Sequence, residues 1–288
     1  MPNSKKAQIA AEIKAFKNTD FSDCPELTDE QLAQMKPSHY RNINNYKNLA
    51  QMIFKRQSVR AYSRESVDLL DNDIDLAVSL GIQPLIESIR VKVKILRKAE
   101  VSNNRSDYCI AFYSEEKPYH LENIGFIGQQ IELALQSKGL GTCWWGLKKP
   151  KKDFKSVDGL SSIITMTVGY PKTLETRKYP DGFKRKNSAD ILINDSKPDN
   201  LIEAVRIAPS AINLQPWLIK KNDNRYNFYL KIPGNLLEKM INDMRHIDIG
   251  IAMAHLFIQA KADGIDVSFD FEGTDIANGK FICSAVLG

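Results

Sequence analysis

A short basic segment at residues 56–60 has the composition of an anion-binding site. It reads RQSVR and follows an apolar helical turn that contains Met52 and Ile53. Arginine presents several N–H donors in a planar fork that matches phosphate oxygens, and a serine hydroxyl adds a short neutral donor. The segment therefore predicts a phosphate clamp, and a solvated basic turn is the alternative. Its candidate ligands are Arg56, Gln57, Ser58 and Arg60.

A second segment, residues 208–217, suits a flat ligand. The sequence APSAINLQPW ends a helical pattern at a proline, and its small residues let a backbone approach a ligand closely. Ser210 and Asn213 supply directional donors and acceptors that can read the edge of a ring. An ordinary turn between a helix and a strand is the alternative. The candidate ligands are Pro209, Ser210, Ala211, Asn213 and Gln215.

Two further segments could contribute to the same site. The sequence GLGTCWWG at 139–146 follows a long apolar helical pattern, and a backbone amide near Gly146 could point at a ligand heteroatom. Trp144 and Trp145 suit core packing as well as ring stacking. The run Lys184-Arg185-Lys186 comes after Gly169-Tyr170-Pro171 and by itself indicates a solvated face. The candidate ligands here are Trp145, Gly146, Arg185 and Lys186.

An internal repeat indicates the elements that position these segments. Ile124-Gly125 opens a helical pattern that ends at Gly139, and Ile249-Gly250 opens one of the same length that ends at Gly264. Both patterns are apolar almost all round, which is typical of buried helices. Each is followed by a β-rich run, at 162–169 in the first copy and at 281–288 in the second.

The repeat also includes the loops. The helical pattern 199–205 leads into APSAINLQPW, whereas the pattern 73–78 leads only into the shorter SLGIQPL at 79–85. In both copies Gln-Pro precedes a strand, as in the alternating run 89–96. The order helix, loop, strand, long helix, strand thus occurs twice and predicts an α+β fold.

Three regions follow from this pattern. Residues 1–50 are polar, with helical spacing around Ile9, Ile13 and Phe16, and a capping-box-like sequence at 28–31. We interpret them as an N-terminal helical extension that packs or docks. The first half of the duplicated unit is expected at 51–196 and the second half at 197–288.

Composition and charge exclude several classes of protein. The chain has 288 residues, 43% of them hydrophobic, which is enough for a full core. Its 40 basic and 35 acidic residues are interspersed, so nucleic-acid binding is not expected. The four scattered cysteines form no CxxC pair and predict neither a disulfide framework nor a metal site. No apolar run has the length of about 20 residues that spans a bilayer, and no signal peptide is evident, so we expect a cytoplasmic protein without membrane contact.

Taken together, the four segments resemble the nitroreductase family in family order over residues 51–288. RQSVR is similar to that family's Arg-Arg-Ser-x-Arg phosphate motif, with Gln57 in place of the second arginine, and APSAINLQPW matches its Pro-Ser-x-x-Asn-x-Gln-Pro-Trp loop completely. GLGTCWWG resembles the segment beside N5 of the flavin. GYP followed by FKRKNSADIL at 183–192 resembles the family's C-terminal basic strand.

The resemblance implies a fold, a cofactor and a reaction. The fold would have an antiparallel-rich central sheet flanked by helices. FMN would take a hydride from NADH or NADPH and pass electrons to a nitroaromatic compound or a quinone. Family members are homodimers whose sites use the phosphate clamp of one subunit and the Ser/Asn loop of the other. Because one half here has the clamp and the other has the loop, the chain resembles the monomeric branch called putative TM nitroreductases, a fused pseudo-dimer with one complete site.

Some alternatives remain at this level. No catalytic side chain is assigned, since the flavin would carry the chemistry; His246 and His255 are weak candidates. A related enzyme could use the same flavin for dehydrogenation or reductive dehalogenation, and a non-enzymatic flavin-binding protein is a third interpretation.

Overall fold

The computed structural model describes residues 39–63, 82–102, 106–146, 150–173, 183–194 and 197–288. A compact unit extends from Tyr40 to Gly288. The predicted capping box at 28–31, the helical pattern at 73–78 and the start of the SLGIQPL loop lie outside the described residues.

The first half of the unit contains an antiparallel sheet. Its strands are β1 (Val91–Arg97), β2 (Tyr108–Ser114), β3 (Gly141–Trp145), β4 (Ser156–Val157) and β5 (Leu160–Gly169), in the order β1-β2-β5-β3, with β4 also paired to β5. β1 lies at the edge, and its alternation leaves Val91, Val93 and Ile95 half-buried on one face and Lys92 and Lys94 exposed on the other.

The second half contains a sheet of the same topology. Its strands are β6 (Trp217–Asn222), β7 (Arg225–Lys231), β8 (Val267–Asp270) and β9 (Gly279–Leu287), in the order β6-β7-β9-β8. The pairing of β2 with β5 shifts register between Phe112 and Tyr113, and that of β7 with β9 shifts between Phe228 and Tyr229. A register shift is a specific local feature, so its recurrence at a Phe-Tyr pair strengthens the correspondence of the halves.

The described part of the chain contains six α-helices in addition to these strands. They are α1 (His39–Ile53), α2 (His120–Ser137), α3 (Ser188–Ile191), α4 (Asn200–Arg206), α5 (Leu236–Met240) and α6 (Asn242–Ala262). α2 and α6 are the two predicted apolar helices, and both begin several residues earlier than expected. Short 3-10 turns occur at 98–100, 152–154 and 211–213.

The two long helices touch each other at a reciprocal pair of glycines. A Cβ atom on Gly125 would lie 2.1 Å from the carbonyl oxygen of Ile247, and one on Gly250 would lie 2.1 Å from that of Glu122. Any larger side chain at either glycine would therefore push the helices apart. Each contact repeats the other after 125 residues, which relates α2 and α6 by an approximate two-fold arrangement.

A single hydrophobic cluster extends through both halves. At its centre the ring of Phe257 on α6 lies 5.2 Å from Phe126 on α2 and 6.4 Å from Phe269 on β8. Tyr46 on α1 packs its ring edge-on to Phe257 at 5.6 Å. Residues of α1 before position 51 thus belong to the same core as the two halves.

The second half has an additional segment between its second strand and its long helix. Phe112 and Phe228 are 116 residues apart, whereas Gly125 and Gly250 are 125 apart, so the second half has nine extra residues there. This segment, residues 232–241, includes α5. Its large apolar side chains are exposed: Ile232 by 52%, Leu236 by 73%, Leu237 by 54% and Met240 by 75%.

No helix in the described part of the chain is long and apolar enough to cross a membrane. The same residues contain no cluster of three or more side chains of the types that ligate metals. Cys109, Cys143 and Cys283 are buried free thiols.

Candidate functional site

Residues 56–60 run in extended form beside the start of β3. The Val59 amide donates to the Thr142 carbonyl at 2.8 Å, and Ser58 pairs with Thr142 as a parallel bridge. The Gln136 side chain, near the end of α2, accepts from the Gln57 amide at 3.2 Å and donates to its carbonyl at 3.1 Å. The segment after α1 therefore has a fixed path along one edge of the first sheet.

Arg56 and Arg60 differ in their surroundings. Arg56 is 1% exposed; its Nε lies 3.4 Å from Glu132 Oε2, and its Nη2 donates to Ser58 Oγ at 3.1 Å. Neither Nε nor Nη1 of Arg56 has a well-aligned hydrogen-bond acceptor, so the ion pair holds the charge without using every donor. Arg60 is exposed. The predicted clamp thus consists of one buried arginine and one accessible arginine.

The basic segment 183–187 is fastened to the loop 208–217 by side chains. Arg185 Nη1 donates to Asn213 Oδ1 at 2.7 Å, and Arg185 Nε donates to the Ala208 carbonyl at 3.0 Å. Asn213 Nδ2 donates in turn to the Lys184 carbonyl at 2.9 Å. The carboxamide of Asn213 therefore joins the two segments, and its predicted role in reading a ring edge stays a prediction.

Lys186 and Gln215 extend the same junction. Lys186 Nζ donates to the carbonyls of Leu214 and Gln215 at 2.9 and 3.1 Å, while the Lys186 amide donates to Gln215 Oε1 at 2.8 Å. The backbone amide of Gln215 donates to Ser210 Oγ at 2.9 Å. The Ser210 hydroxyl is the acceptor in this bond, so its own proton is not used there. The structure thus brings together the predicted residues of the basic segment and of the loop.

The prediction that residues 183–192 form a strand is wrong. Residues 183–187 have no regular secondary structure, and Ser188–Ile191 form the short helix α3. Asn187 starts this helix with a capping box, because its amide donates to Asp190 Oδ2 at 3.0 Å. The sequence Asn-Ser-Ala-Asp is therefore a helix start rather than a strand interior.

The loop 208–217 has an unfavourable backbone conformation at three residues. Ile212, Asn213 and Gln215 have φ values of 48°, 60° and 50°. Side chains other than glycine rarely adopt this left-handed region, and for a β-branched residue such as isoleucine it is an outlier. Each such residue costs on the order of 1–3 kcal/mol, so the bonds described above must hold the loop in place.

A buried carboxyl that the sequence analysis did not identify also holds this loop. The Ala211 amide donates to both carboxyl oxygens of Asp248, at 3.0 Å each, and Asp248 is 4% exposed. Burial raises the pKa of Asp248 to about 8, although the Ala211 amide and the charge of Arg245 both act in the opposite direction. The carboxyl is therefore largely protonated at neutral pH.

His255 of α6 is buried, and the charges of both Arg56 and Arg185 act on it. Its Nδ1 donates to the Ala204 carbonyl at 2.8 Å, and its buried Nε2 has no hydrogen-bond partner. Burial, assisted by the positive charges of Arg56 and Arg185, lowers the pKa of His255 to about 3, although the hydrogen bond to the Ala204 carbonyl acts in the opposite direction. The charges of Arg56, from the clamp at 56–60, and of Arg185, from the basic segment, thus both act on one imidazole.

Gly146, at the end of β3, meets the same helix as the loop. A Cβ atom on Gly146 would lie 2.5 Å from Met244 Cε, so Met244 of α6 covers this glycine. Met244 and Asp248 are four residues apart and therefore on one face of α6. The preceding Trp144 belongs to the core, since its ring stacks on Phe112 with centroids 5.5 Å apart. Trp145 is half-buried beside it.

In the first half, the residues equivalent to Asp248 and His255 are the uncharged Asn123 and Gln130, which hold the shorter loop SLGIQPL and the residue after it. Asn123 Oδ1 accepts from the amides of Leu85 and Ile86 at 2.8 and 3.1 Å. Gln130 exchanges two hydrogen bonds with the backbone of Gln83, at 2.8 and 3.1 Å. Asn123 and Gln130 precede Asp248 and His255 by the same 125 residues that separate the two glycines. This spacing is the signal that would have identified Asp248 from the sequence.

The weak candidate His246 is engaged elsewhere. Its Nδ1 lies 2.6 Å from Glu122 Oε1, which fastens the start of α6 to the start of α2. His246 and His255 therefore both have structural partners.

The chain is similar to several solved structures. A putative nitroreductase from Thermotoga maritima has a TM-score of 0.60 and 22% identity, over 83% of this chain and 94% of its own, and this likeness shows a shared fold. A putative NADH dehydrogenase/NAD(P)H nitroreductase from Bacteroides thetaiotaomicron has 21% identity and a TM-score of 0.39, over 51% of this chain and 98% of its own. A putative nitroreductase in complex with FMN from Desulfovibrio desulfuricans has 19% identity and a TM-score of 0.39, over 52% of this chain and 98% of its own.

The comparison with curated proteins gave no match. A family model described as "Putative TM nitroreductase" matches residues 48–260, which is well over half of the sequence and includes the clamp, the basic segment, the loop and most of α6. The chain therefore belongs to the putative TM nitroreductase family.

Proposed function

We propose that this protein is an FMN-dependent oxidoreductase that transfers electrons from NADH or NADPH to a small electron-poor acceptor, a nitroaromatic compound or a quinone. The observation that carries the proposal is the convergence of three predicted segments: Arg185 is bonded to the loop 208–217, and Arg56 and Arg185 both act on His255. Membership of a nitroreductase family supports the same reaction class. When bound, FMN would supply the hydride and electron transfer.

The described residues fit the phosphate of FMN. Arg56 has a buried Nη1 without an acceptor, and Arg60 adds an accessible guanidinium. Burial and the neighbouring charge of Lys231 both lower the pKa of Lys186, so positive charge is crowded there and a bound anion would relieve it. We assign Arg56, Ser58, Arg60, Arg185 and Lys186 to the phosphate end of the cofactor.

The ring of FMN would lie against the loop and Gly146. Ser210 has a hydroxyl proton left to donate, and the small residues Pro209 and Ala211 allow a close approach of the backbone. Met244 and Asp248 position Gly146 and Ala211 from one face of α6. In this arrangement the chain orients the ring and excludes water from one side of it.

The additional segment 232–241 would form an apolar wall for the acceptor. Its exposed side chains follow β7, whose last residue donates its Lys231 amide to the carbonyl of Pro216 in the loop. Glu238 of the same segment acts electrostatically on both Lys186 and Arg245. Planar aromatic acceptors are good partners for such a surface.

We further propose that the molecule works as a monomer in the cytoplasm, as an internal pseudo-dimer with one complete site. The equal topology of the two sheets and the reciprocal glycine contacts support a duplication. Only the second half has the Ser/Asn loop, and only the first half has the clamp. No nucleic acid or membrane partner is part of this proposal.

Two measurements test the proposed function. Flavin released by heat from the purified protein and quantified against the chain should approach one FMN per chain, and two per chain would contradict the single site. Steady-state oxidation of NADH and of NADPH, with and without a nitroaromatic compound or quinone, should show turnover that depends on the acceptor. Stoichiometric FMN without such turnover would instead indicate a flavin-binding protein.

A further inference from the structure

The segment 232–241 begins and ends beside two parts of the candidate site, the loop 208–217 and the end of β3. Before the segment, the Lys231 amide donates to the carbonyl of Pro216 in the loop at 2.8 Å. After the segment, Met244 covers Gly146. The segment therefore leaves β7 beside the loop and joins α6 beside the end of β3.

One buried guanidinium joins the two ends of this segment. Arg245 is 0% exposed; its Nη2 donates to the Lys231 carbonyl, and its Nη1 donates to Asn242 Oδ1 at 3.1 Å. Lys231 is the last residue of β7, and Asn242 is the first residue of α6. The planar fork of an arginine presents donors in fixed directions, so it can bind two oxygens at once. Arg245 thus closes the base of the segment.

The middle of the segment is shaped by its own side chains. Asn235 Oδ1 accepts from the Glu238 amide at 3.0 Å, and Glu238 Oε2 accepts from the Gly234 amide at 3.1 Å. These bonds form α5 without fastening it to the core, and Leu236 and Met240 are 73% and 75% exposed. The position of this apolar surface relative to the loop therefore depends on the base that Arg245 closes.

The first half closes its connection with a shorter bond. His120 lies 125 residues before Arg245, and its Nδ1 donates to the carbonyl of Lys117, three residues earlier, at 2.7 Å. The connection there is nine residues shorter. An imidazole is sufficient for such a local bond, whereas Arg245 reaches back 14 residues to Lys231. The arginine thus serves the added segment rather than the framework that the two halves share.

We propose that Arg245 is a positioning residue for electron-acceptor specificity, which holds the segment 232–241 in place and thereby favours planar apolar acceptors over charged ones. This inference rests on the proposed function, in which the segment is the wall for the acceptor. An apolar surface that is already held in place loses less conformational freedom when an acceptor binds to it. A charged acceptor gains little there, because it would lose water without gaining a polar partner.

The first test compares electron acceptors in steady-state turnover of the FMN-loaded protein. Asn242→Ala removes one of the two oxygens that Arg245 binds, and Arg245→Lys keeps the charge but loses the planar fork. Each variant should raise KM for menadione, an apolar quinone, about three- to tenfold relative to KM for ferricyanide, since one hydrogen bond at the base is lost. The kcat values should change less than KM, because the wall contributes to binding rather than to electron transfer.

Two matched variants separate this role from a general effect on the fold. Asn242→Asp keeps an oxygen for Arg245 Nη1 and should retain the acceptor preference of the wild type. Asp243→Asn changes the next residue of α6, whose side chain is exposed, and should also retain it. Asn242 is only half-buried, so Asn242→Ala tests the closure even where the buried Arg245 tolerates no replacement.

A second readout uses the apoprotein and needs no turnover. Hydrogen exchange measured by mass spectrometry should become about three- to tenfold faster in residues 232–241 of Asn242→Ala and Arg245→Lys, and stay unchanged in the connection 115–119. Unchanged exchange in 232–241, or an equal rise of KM for menadione and ferricyanide, would overturn the assignment. If the exchange responds as expected but the wild type reduces neither acceptor, the proposed function fails and the specificity role fails with it.

Discussion

Arg56 and Arg60 belong to one short segment, but their surroundings give them different tasks. Arg56 is buried against Glu132 and Ser58, whereas Arg60 is exposed. The first guanidinium therefore stabilises the fold, whatever part it has in the proposed binding of phosphate. The second is free to act on a ligand without structural consequences.

Replacing Arg60 should affect ligand binding alone. Arg60→Ala removes a charge-assisted contact and should weaken FMN binding about ten- to hundredfold, while riboflavin, which lacks the phosphate, should bind unchanged. Parallel titrations with the two flavins provide the measurement. An equal loss for both flavins would show that Arg60 acts through the fold.

Replacing Arg56 should affect stability first. Arg56→Ala leaves Glu132 buried without its partner and should lower the free energy of unfolding by about 3–5 kcal/mol. Denaturant unfolding of the apoproteins measures this loss. The double variant Arg56→Ala/Glu132→Gln should recover part of it, and an additive double variant would contradict the buried ion pair.

His255 predicts a specific acid sensitivity. Its folded pKa of about 3 lies below the ordinary value of 6.5, so the unfolded chain binds a proton first as pH falls. The contribution of the neutral imidazole to stability is complete above pH 6.5 and decreases toward pH 3, by about 2 kcal/mol at pH 5. His255→Gln copies the equivalent Gln130 and should show a flatter stability profile between pH 7 and pH 5. Identical profiles in denaturant unfolding would disprove the assignment.

At the scale of elements, the crossing of α2 and α6 depends on two glycines. Gly125→Ala or Gly250→Ala places a methyl group against a carbonyl oxygen and should destabilise the protein by about 1–3 kcal/mol or more. Gly234→Ala is the matched control, because only Glu238 Oε1 lies near its Cβ, at 3.9 Å, and its effect should stay within about 0.5 kcal/mol. Denaturant unfolding compares the three, and a tolerated Gly125→Ala would refute the close crossing.

Helices and strands with a clear hydrophobic period were predictable from the sequence, but the residues at which they begin and end were less predictable. The apolar runs of α2 and α6 and the alternation of β1 are confirmed as helices and strand. Both helices begin earlier than predicted because polar side chains such as Asn123 and Asp248, buried with backbone partners, hide the apolar pattern there. At 183–187, side-chain bonds to the loop replace the strand pairing that was expected.

The candidate site was predictable in its segments but not in its contacts. Short motifs can be recognised from local composition alone, and their assignment to a cofactor stays a prediction. Asp248 was missed because its role depends on a hydrogen bond from the Ala211 amide, 37 residues earlier in the chain, which the sequence of the helix does not indicate. The commitment of Asn213 to Arg185 and Lys184 likewise depends on tertiary structure.

For the whole molecule, the shared core predicts that neither half folds alone. The cluster around Phe126, Phe257 and Phe269 draws on both halves, and each buried side chain of this size contributes about 1.5–3 kcal/mol. Fragments 1–196 and 197–288, expressed separately, should be insoluble or molten and colourless. Co-expression should restore a soluble yellow complex. A folded, FMN-loaded fragment of either half would contradict the shared site.

The presence of two similar sheets on one polypeptide has an evolutionary consequence. In a symmetric homodimer every substitution occurs in both subunits. A change that improves one position in one subunit therefore also alters the same position in the other subunit. Here Asn123 and Asp248, or Gln130 and His255, occupy matching positions on separate stretches of the same chain. Each member of such a pair can be selected independently. The nine additional residues in the connection between β7 and α6 could therefore be acquired beside one loop while the first half kept its shorter connection.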